Sequence, residues 1–210
     1  MVGVKSLKVE IFDGAGALTK ISTMASKREV KAVLEVAKLR GFLPTAKPTE
    51  VQGFKRTYIP DGAVTEGGLT VTKLDHTYIV QDLKKAGSSD KAAMVVTTYS
   101  APGVLGATEI DVRFLVAPGG DVTKTQEMRF DSATGKVVAT NSWWTRFKAC
   151  ITGKCQATCV GSLGTCAFAS WAGYLQCVAL ACGGCSAKCV ACATCKCRWW
   201  CKWATGCCKD

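Results

Sequence analysis

Cysteine is absent from the first 149 residues of this 210-residue chain, and all fourteen cysteines lie in residues 150–210. The absence excludes disulfides, thiolate metal sites and cysteine nucleophiles from the front part. The last 61 residues are too few to bury a large core by themselves, and chains of that size are commonly held by disulfides or metal. We therefore predict that every cysteine serves a disulfide. These cysteines are Cys150, Cys155, Cys159, Cys166, Cys177, Cys182, Cys185, Cys189, Cys192, Cys195, Cys197, Cys201, Cys207 and Cys208.

Acidic residues are almost absent from the back part, where Asp210 alone stands against six Lys and Arg residues. The first 149 residues are mixed, with 21 basic and 15 acidic side chains, and the whole chain carries a formal charge of +11. A segment that is nearly all cationic favours anionic partners, either nucleic acid or an anionic lipid surface.

Histidine occurs once, as His76 within a predicted strand, so a triad of nucleophile, base and acid has no second base to draw on. We predict that His76 is a solvated or hydrogen-bonded strand residue. The Gly14-x-Gly16 pattern has Thr19 in place of the third glycine of a dinucleotide fingerprint, so a dinucleotide site is not expected. We expect that the chain is not an enzyme.

The front part contains one clear helix, from about Lys27 to Arg40, with an apolar residue recurring every three or four positions. Ser26 and Glu29 have the spacing of a capping box, and Gly41 follows as a stop signal. Short segments rich in β-branched residues then alternate with Gly, Pro and Asp turns. The predicted strands are Val4–Phe12, Leu69–Val80, Ala92–Tyr99, Thr108–Val116, Val122–Phe130 and Lys136–Asn141.

These patterns predict an α+β N-terminal domain, with a helix packed on an antiparallel β-meander, followed by a small, mainly helical, disulfide-rich C-terminal segment. The predicted boundaries are 1–142 for the soluble domain, 143–149 for a linker with a processing site, and 150–210 for the cysteine-rich domain. Within the strand at 108–116, Glu109, Asp111 and Arg113 share one face, which we predict to be a salt-bridged solvent surface.

No charged residue lies between Lys154 and Lys188. This run is long enough to span a bilayer as a helix, but its Gly, Ser and Thr content favours two short helices around Gly161–Gly164. Farther along, the steps between Cys182, Cys185, Cys189 and Cys192 place these cysteines on one helical stripe. Neighbours on one stripe are poorly placed to bridge one another, so we expect them to pair with cysteines of a facing helix, in up to seven bridges.

Metal binding is the alternative use of the cysteines. Cys182-x-x-Cys185, Cys189-x-x-Cys192 and Cys192-x-x-Cys195 have ligand-like spacing, and a zinc site here would contain thiolates alone because the segment lacks histidine. We favour disulfides and expect no cofactor, with thiolate-bound zinc as the alternative.

The end of the chain alternates cations with tryptophan, a composition typical of segments that bind a lipid headgroup region. Such a composition also stacks on single-stranded nucleic acid, but the neighbouring uncharged run makes nucleic acid unlikely and favours an anionic membrane. The predicted membrane contacts are Lys188, Lys196, Arg198, Trp199, Trp200, Lys202 and Trp203.

The arrangement resembles that of the halocin-like cysteine-rich bacteriocin precursors. A cysteine-free front half leads to a cysteine-rich peptide with an uncharged Gly/Ala/Cys centre, here from Cys155-Gln-Ala-Thr-Cys159 to Cys182-Gly-Gly-Cys185. The resemblance implies that the C-terminal peptide is released and kills competitors, and that the front part gives immunity to the producer. The first residues, Met1–Lys5, begin no classical signal peptide, and we expect secretion or membrane association after processing.

Two other functions stay open at this point: a thiolate metal-binding or redox module fused to an adaptor domain, and a structural or surface protein crosslinked through the cysteines.

Overall fold

The computed structural model describes residues 3–66, 68–101, 109–155, 159, 166, 170–182, 184–194, 204 and 207. These residues form three layers: two helices, an antiparallel sheet, and a second group of helices crosslinked by disulfides. The α+β class with a helical, disulfide-rich C-terminal segment is therefore confirmed.

The central layer is an antiparallel meander, as predicted. Its strands follow the order β1-β3-β6-β7-β8-β9-β10, with the short β2 paired to β6, while β4 and β5 form a separate hairpin. The bounds are β1 Gly3–Phe12, β2 Leu43–Pro44, β3 Val51–Asp61, β4 Val64–Glu66, β5 Leu69–Val71, β6 Leu74–Lys84, β7 Lys91–Ser100, β8 Glu109–Ala117, β9 Gln126–Asp131 and β10 Lys136–Thr140.

The first layer contains α1, Gly14–Met24, and α2, Arg28–Leu39. The sequence did not predict α1, because Gly14 and Gly16 are poor helix formers. The Asp13 side chain caps this helix by accepting from the Gly16 N–H at 2.6 Å. A Cβ at Gly14 would lie 1.9 Å from the Pro48 carbonyl oxygen, so glycine is required for this close approach.

The second helix begins and ends close to where the sequence predicts. The predicted capping box is wrong, because the N-cap residue is Lys27 and no side chain caps this helix. The predicted stop is present at Gly41, whose φ of 83° lies in the left-handed region that favours glycine.

The sheet is buried on both faces, whereas the sequence led us to expect helix cover on one. One face packs against α1 and α2 through side chains such as Ile79, Met94 and Val96. The residues between them point the opposite way, and Val80 and Val95 join a second core. That second core is closed by the C-terminal helices.

Within the described residues, three helices follow the sheet: α3 Ser142–Lys154, α4 Trp171–Cys182 and α5 Gly184–Thr194. We call these helices, with the disulfides that join them, the disulfide hairpin. In the described part of the chain, no helix combines the length and the apolar character that crossing a bilayer demands. The predicted break at Gly161–Gly164 lies outside the described residues.

The stretch 143–149, predicted as a linker, lies within α3, and its aromatic side chains are buried. Trp143 is fully buried, and Trp144 and Phe147 are 4% and 1% exposed. The two tryptophans therefore pack in the core here, and Asn141 and Ser142, which precede them, are exposed. The three-part division of the chain remains a prediction.

Candidate functional site

Disulfides join the two arms of the disulfide hairpin in a nested ladder. The first arm is α3 with Cys155, Cys159 and Cys166, and the second arm is α4 with α5. Ten of the fourteen cysteines form five disulfides, and the other four, Cys195, Cys197, Cys201 and Cys208, lie outside the described residues. The pairs are Cys150–Cys189, Cys155–Cys185, Cys159–Cys182, Cys166–Cys177 and Cys192–Cys207.

The first four pairs enclose one another, with sequence separations of 39, 30, 23 and 11 residues. Cys182, Cys185 and Cys189 use their common stripe to reach the preceding arm, while Cys192 reaches Cys207. So many disulfides indicate an oxidising compartment, extracellular or other. None can reach residues 1–149, which contain no cysteine.

The apolar side of the disulfide hairpin shares one core with the sheet. Trp143 stacks on Phe147 at 5.4 Å between ring centroids and lies 6.3 Å from Tyr78 of β6. Trp144 meets Trp171 edge-on at 5.1 Å. Buried aromatic side chains of this size contribute most to such a contact, so the sheet covers a strongly apolar surface of the hairpin.

The N-terminus of α3 is capped by a carboxylate of the sheet. One oxygen of Glu127, on β9, accepts from the backbone N–H groups of Trp143 and Trp144, both at 3.0 Å. The other oxygen is ion-paired with Arg113 of β8, which also binds Asp111. Since the first N–H groups of a helix have no partner within it, Glu127 supplies a cap from another part of the chain.

This ion-paired group corrects a prediction. Asp111 and Arg113 do pair on one strand face, but Arg113 is 1% exposed and lies beneath α3. The face that we predicted as solvent surface is an interface with the disulfide hairpin.

The N-terminus of α4 is capped in the same way by Asp82 of β6. The Oδ1 atom of Asp82 accepts from the Ala172 N–H at 3.0 Å. Burial raises the pKa of the Asp82 carboxyl, while the hydrogen bonds from Ala172 and Ser170 act in the opposite direction. Asp82 and Glu127 thus fix the starts of two helices on one face of the sheet.

Indole N–H groups add three bonds around the same contact. Trp171 Nε1 donates to the Lys91 carbonyl at 3.1 Å, and Trp144 Nε1 donates to the Val122 carbonyl at 3.2 Å. Both acceptors belong to the front part of the chain. Trp143 Nε1 donates to Thr194 of α5 at 2.8 Å, which ties the two arms together. The tryptophans are therefore buried and also satisfied in their polar atoms.

His76 lies in a buried polar group beneath the hairpin, so its prediction as a solvated or hydrogen-bonded residue is wrong. Its ring is fully buried and stacks on Tyr99 at 4.6 Å. Neither ring nitrogen has a hydrogen-bond partner in the described structure, and the same holds for Nε and Nη1 of neighbouring Arg56. Burial, and then the charge of Arg56, lowers the pKa of His76 to about 3.

Four sulfurs gather where α3 ends beside α5. The Sγ atoms of Cys155, Cys185 and Cys189 all lie within 4.8 Å of one another. Cys155 Sγ lies 3.4 Å from Cys189 Sγ, although the two belong to different disulfides, and Cys150 is bonded to Cys189. Among the described residues, this group contains cysteines from both arms of the hairpin. It therefore differs from the Cys-x-x-Cys pairs that the sequence spacing suggested as metal ligands.

Of the predicted membrane contacts, Lys188 alone lies in the described residues, exposed on α5. Lys196, Arg198, Trp199, Trp200, Lys202 and Trp203 lie outside them. The sequence reasoning missed Asp82, Glu127 and Arg113, because nothing in their local pattern separates them from the charged residues of a solvated strand.

No protein-family model, no curated protein and no solved structure matches the chain.

Proposed function

We propose that this chain is a two-part precursor, in which the α+β domain shields an antimicrobial, membrane-active peptide that contains the disulfide hairpin. The observation that carries the proposal is the shared core: the hairpin turns Trp143, Trp144 and Trp171 toward the sheet. An apolar surface that is covered in this way becomes available to a membrane only when the hairpin leaves the sheet.

The connections within the chain support the proposal. All cysteines lie on the hairpin side, so a single break in the backbone separates the two parts covalently. That break falls at the exposed junction between Asn141 and Ser142, because cleavage there keeps the whole of α3 in the released part. The four nested disulfides would hold the fold of the released hairpin.

The charge of the hairpin side supports an anionic membrane as the target. Between Asp131 and Asp210 the chain contains no acidic residue, and Lys188 is exposed on α5. Cations draw the hairpin to an anionic surface and its indoles then enter the interface. The released front domain would rebind the hairpin and so protect the producing cell.

The test places a specific protease site at Asn141 of the full oxidised chain. After cleavage, residues 142–210 are separated in denaturant with disulfides intact and then refolded. We expect this fragment to release dye from anionic vesicles at micromolar concentration, and we expect the uncut chain to leave them intact. A site at Ser89, in the loop between β6 and β7, is the matched control, because cleavage there frees no hairpin.

Addition of the fragment 1–141 should suppress the leakage, because it offers the hairpin its original cover. An oxidised fragment 142–210 that leaves anionic vesicles intact at micromolar concentration would reject the proposal. The intact mass of the native protein, taken without reductant, tests processing directly: a C-terminal fragment should be lighter by about 2 Da for each bridge.

A further inference from the structure

We infer that Cys150, Cys155, Cys185 and Cys189 form a four-thiolate site for a divalent metal such as zinc when their two disulfides are reduced. Three of the sulfurs lie within 4.8 Å of one another, and the fourth is bonded to Cys189. A zinc ion with four sulfurs at about 2.3 Å places neighbouring sulfurs about 3.8 Å apart. The sulfurs of Cys155, Cys185 and Cys189 already lie within reach of one ion, and the Cys150 side chain would turn toward them once its bond to Cys189 is open.

Other contacts hold the two arms together when these two disulfides are open. Trp143 bonds Thr194 across the arms, and Ile151 and Val190 belong to the same buried cluster. Cys185 and Cys189 stand four residues apart on α5, so both thiols point from one face of that helix. The folded backbone therefore holds the four cysteines close together before an ion binds.

Two lysines adjoin ligand cysteines in the sequence. Lys154 directly precedes Cys155, and Lys188 directly precedes Cys189. Four thiolates around a dication leave a net charge of −2, which basic residues of the same segment offset in part. Cys155 and Cys189 are fully buried, which keeps water away from the ion.

The chemistry balances with a thiol or phosphine reductant. Each disulfide takes up two electrons and two protons to give two thiols, and the reductant is oxidised by the same two electrons. The four thiols then lose their protons to the buffer as the metal binds. The site belongs to the chain before oxidation. A disulfide oxidant that accepts two electrons for each bond would form Cys150–Cys189 and Cys155–Cys185, be reduced to thiols itself, and release the ion.

Alkylation mapping of the full chain tests this inference. The protein is reduced with a phosphine under argon, freed of reductant, and treated with a thiol-alkylating reagent with or without one equivalent of zinc. We expect zinc to slow the alkylation of Cys150, Cys155, Cys185 and Cys189 together, by more than about a hundredfold. Cys166 and Cys177, which form the innermost ladder disulfide, should react at the same rate in both samples.

Cobalt binding gives a second measurement. The reduced wild-type chain and a Cys177→Ser control should both give the sulfur-to-cobalt charge-transfer band of a tetrathiolate site, whereas Cys185→Ser should weaken it. The mapping uses wild-type protein, so it stands even where Cys185→Ser fails to fold. Equal alkylation with and without zinc would overturn the inference, as would protection of Cys182 and Cys192 in place of Cys150 and Cys155.

Discussion

Acid should destabilise this protein through His76, before most carboxylates titrate. The ring is fully buried, stacks on Tyr99 and lies opposite Arg56 on the neighbouring strand β3. A second positive charge at this position has no compensating partner in the described structure. The pKa of His76 falls from its ordinary value of 6.5 to about 3. Below pH 6.5 the unfolded chain binds a proton at His76, whereas the folded chain does not bind it until the pH falls to about 3.

The sign of the effect follows from that difference in proton binding. Between these two pKa values, stability rises with pH, and it is lost as the pH falls. One pKa unit corresponds to about 1.4 kcal/mol, so the His76 contribution should fall by about 2 kcal/mol between pH 6.5 and 4.5 and by about 5 kcal/mol in full. Above pH 7 the group should have no effect on the pH dependence.

Urea unfolding of the oxidised chain at a series of pH values measures this effect. His76→Phe keeps the stacking on Tyr99 and removes the titration, so the stability of wild type relative to this variant should fall toward low pH. Comparison of the two proteins cancels the contributions of other titrating groups. One of them is Asp75, where burial raises the pKa of the carboxyl but the hydrogen bonds from Thr57 and Lys55 bring it below its usual value. The comparison also cancels Asp82, whose raised pKa gives the opposite slope. Parallel curves for the two proteins would refute the reasoning.

Three further predictions concern the contact between the sheet and the disulfide hairpin. Glu127→Ala should lower the free energy of unfolding by about 3 kcal/mol, because it leaves buried Arg113 without this partner and uncaps α3. The double variant Glu127→Ala with Arg113→Met should recover part of this loss. Replacement of the exposed Glu10 by Ala is the control and should change little. Equal losses for Glu127→Ala and Glu10→Ala in urea unfolding would contradict the capping role of Glu127. Trp171→Phe should cost about 1–2 kcal/mol, since it removes the bond to the Lys91 carbonyl; an unchanged midpoint of fluorescence-detected unfolding would show that the bond contributes nothing. A fragment ending at Asn141 should bind an apolar dye that the full chain does not bind, and absence of dye binding by the folded fragment would mean that its second face closes by itself.

The sequence predicted most strands of the sheet because turn chemistry is local, but it missed β3, Val51–Asp61. Gly and Pro clusters marked most strand ends, and alternation and β-branched residues marked the strands. The helix α1 was missed because its propensity is poor at Gly14 and Gly16, and only the close approach to Pro48 explains these residues. That approach joins positions far apart in the chain, which a local pattern does not contain.

Burial of the sheet on both faces had a signal that we did not use. Ala92–Val96 is an unbroken apolar run, where a strand with one wet face would alternate. The partners Glu127 and Asp82 had no such signal, because a capping carboxylate and a solvated one are the same residue type on the same kind of strand. The disulfide stripe predicted a facing arm, but the pairing of ten cysteines came only from the structure.

The two surfaces that meet in this chain depend on each other. The disulfide hairpin holds its own backbone with its own crosslinks, yet its helix starts at Trp143 and Ala172 are satisfied by carboxylates of the sheet. Arg113 of the sheet, in turn, is buried beside Glu127, the carboxylate that caps α3. Separation in water would expose an apolar face on each part, whereas the freed polar groups would be hydrated. A backbone break is therefore not sufficient by itself to separate the two parts in water, because burial of the two apolar faces continues to favour the contact.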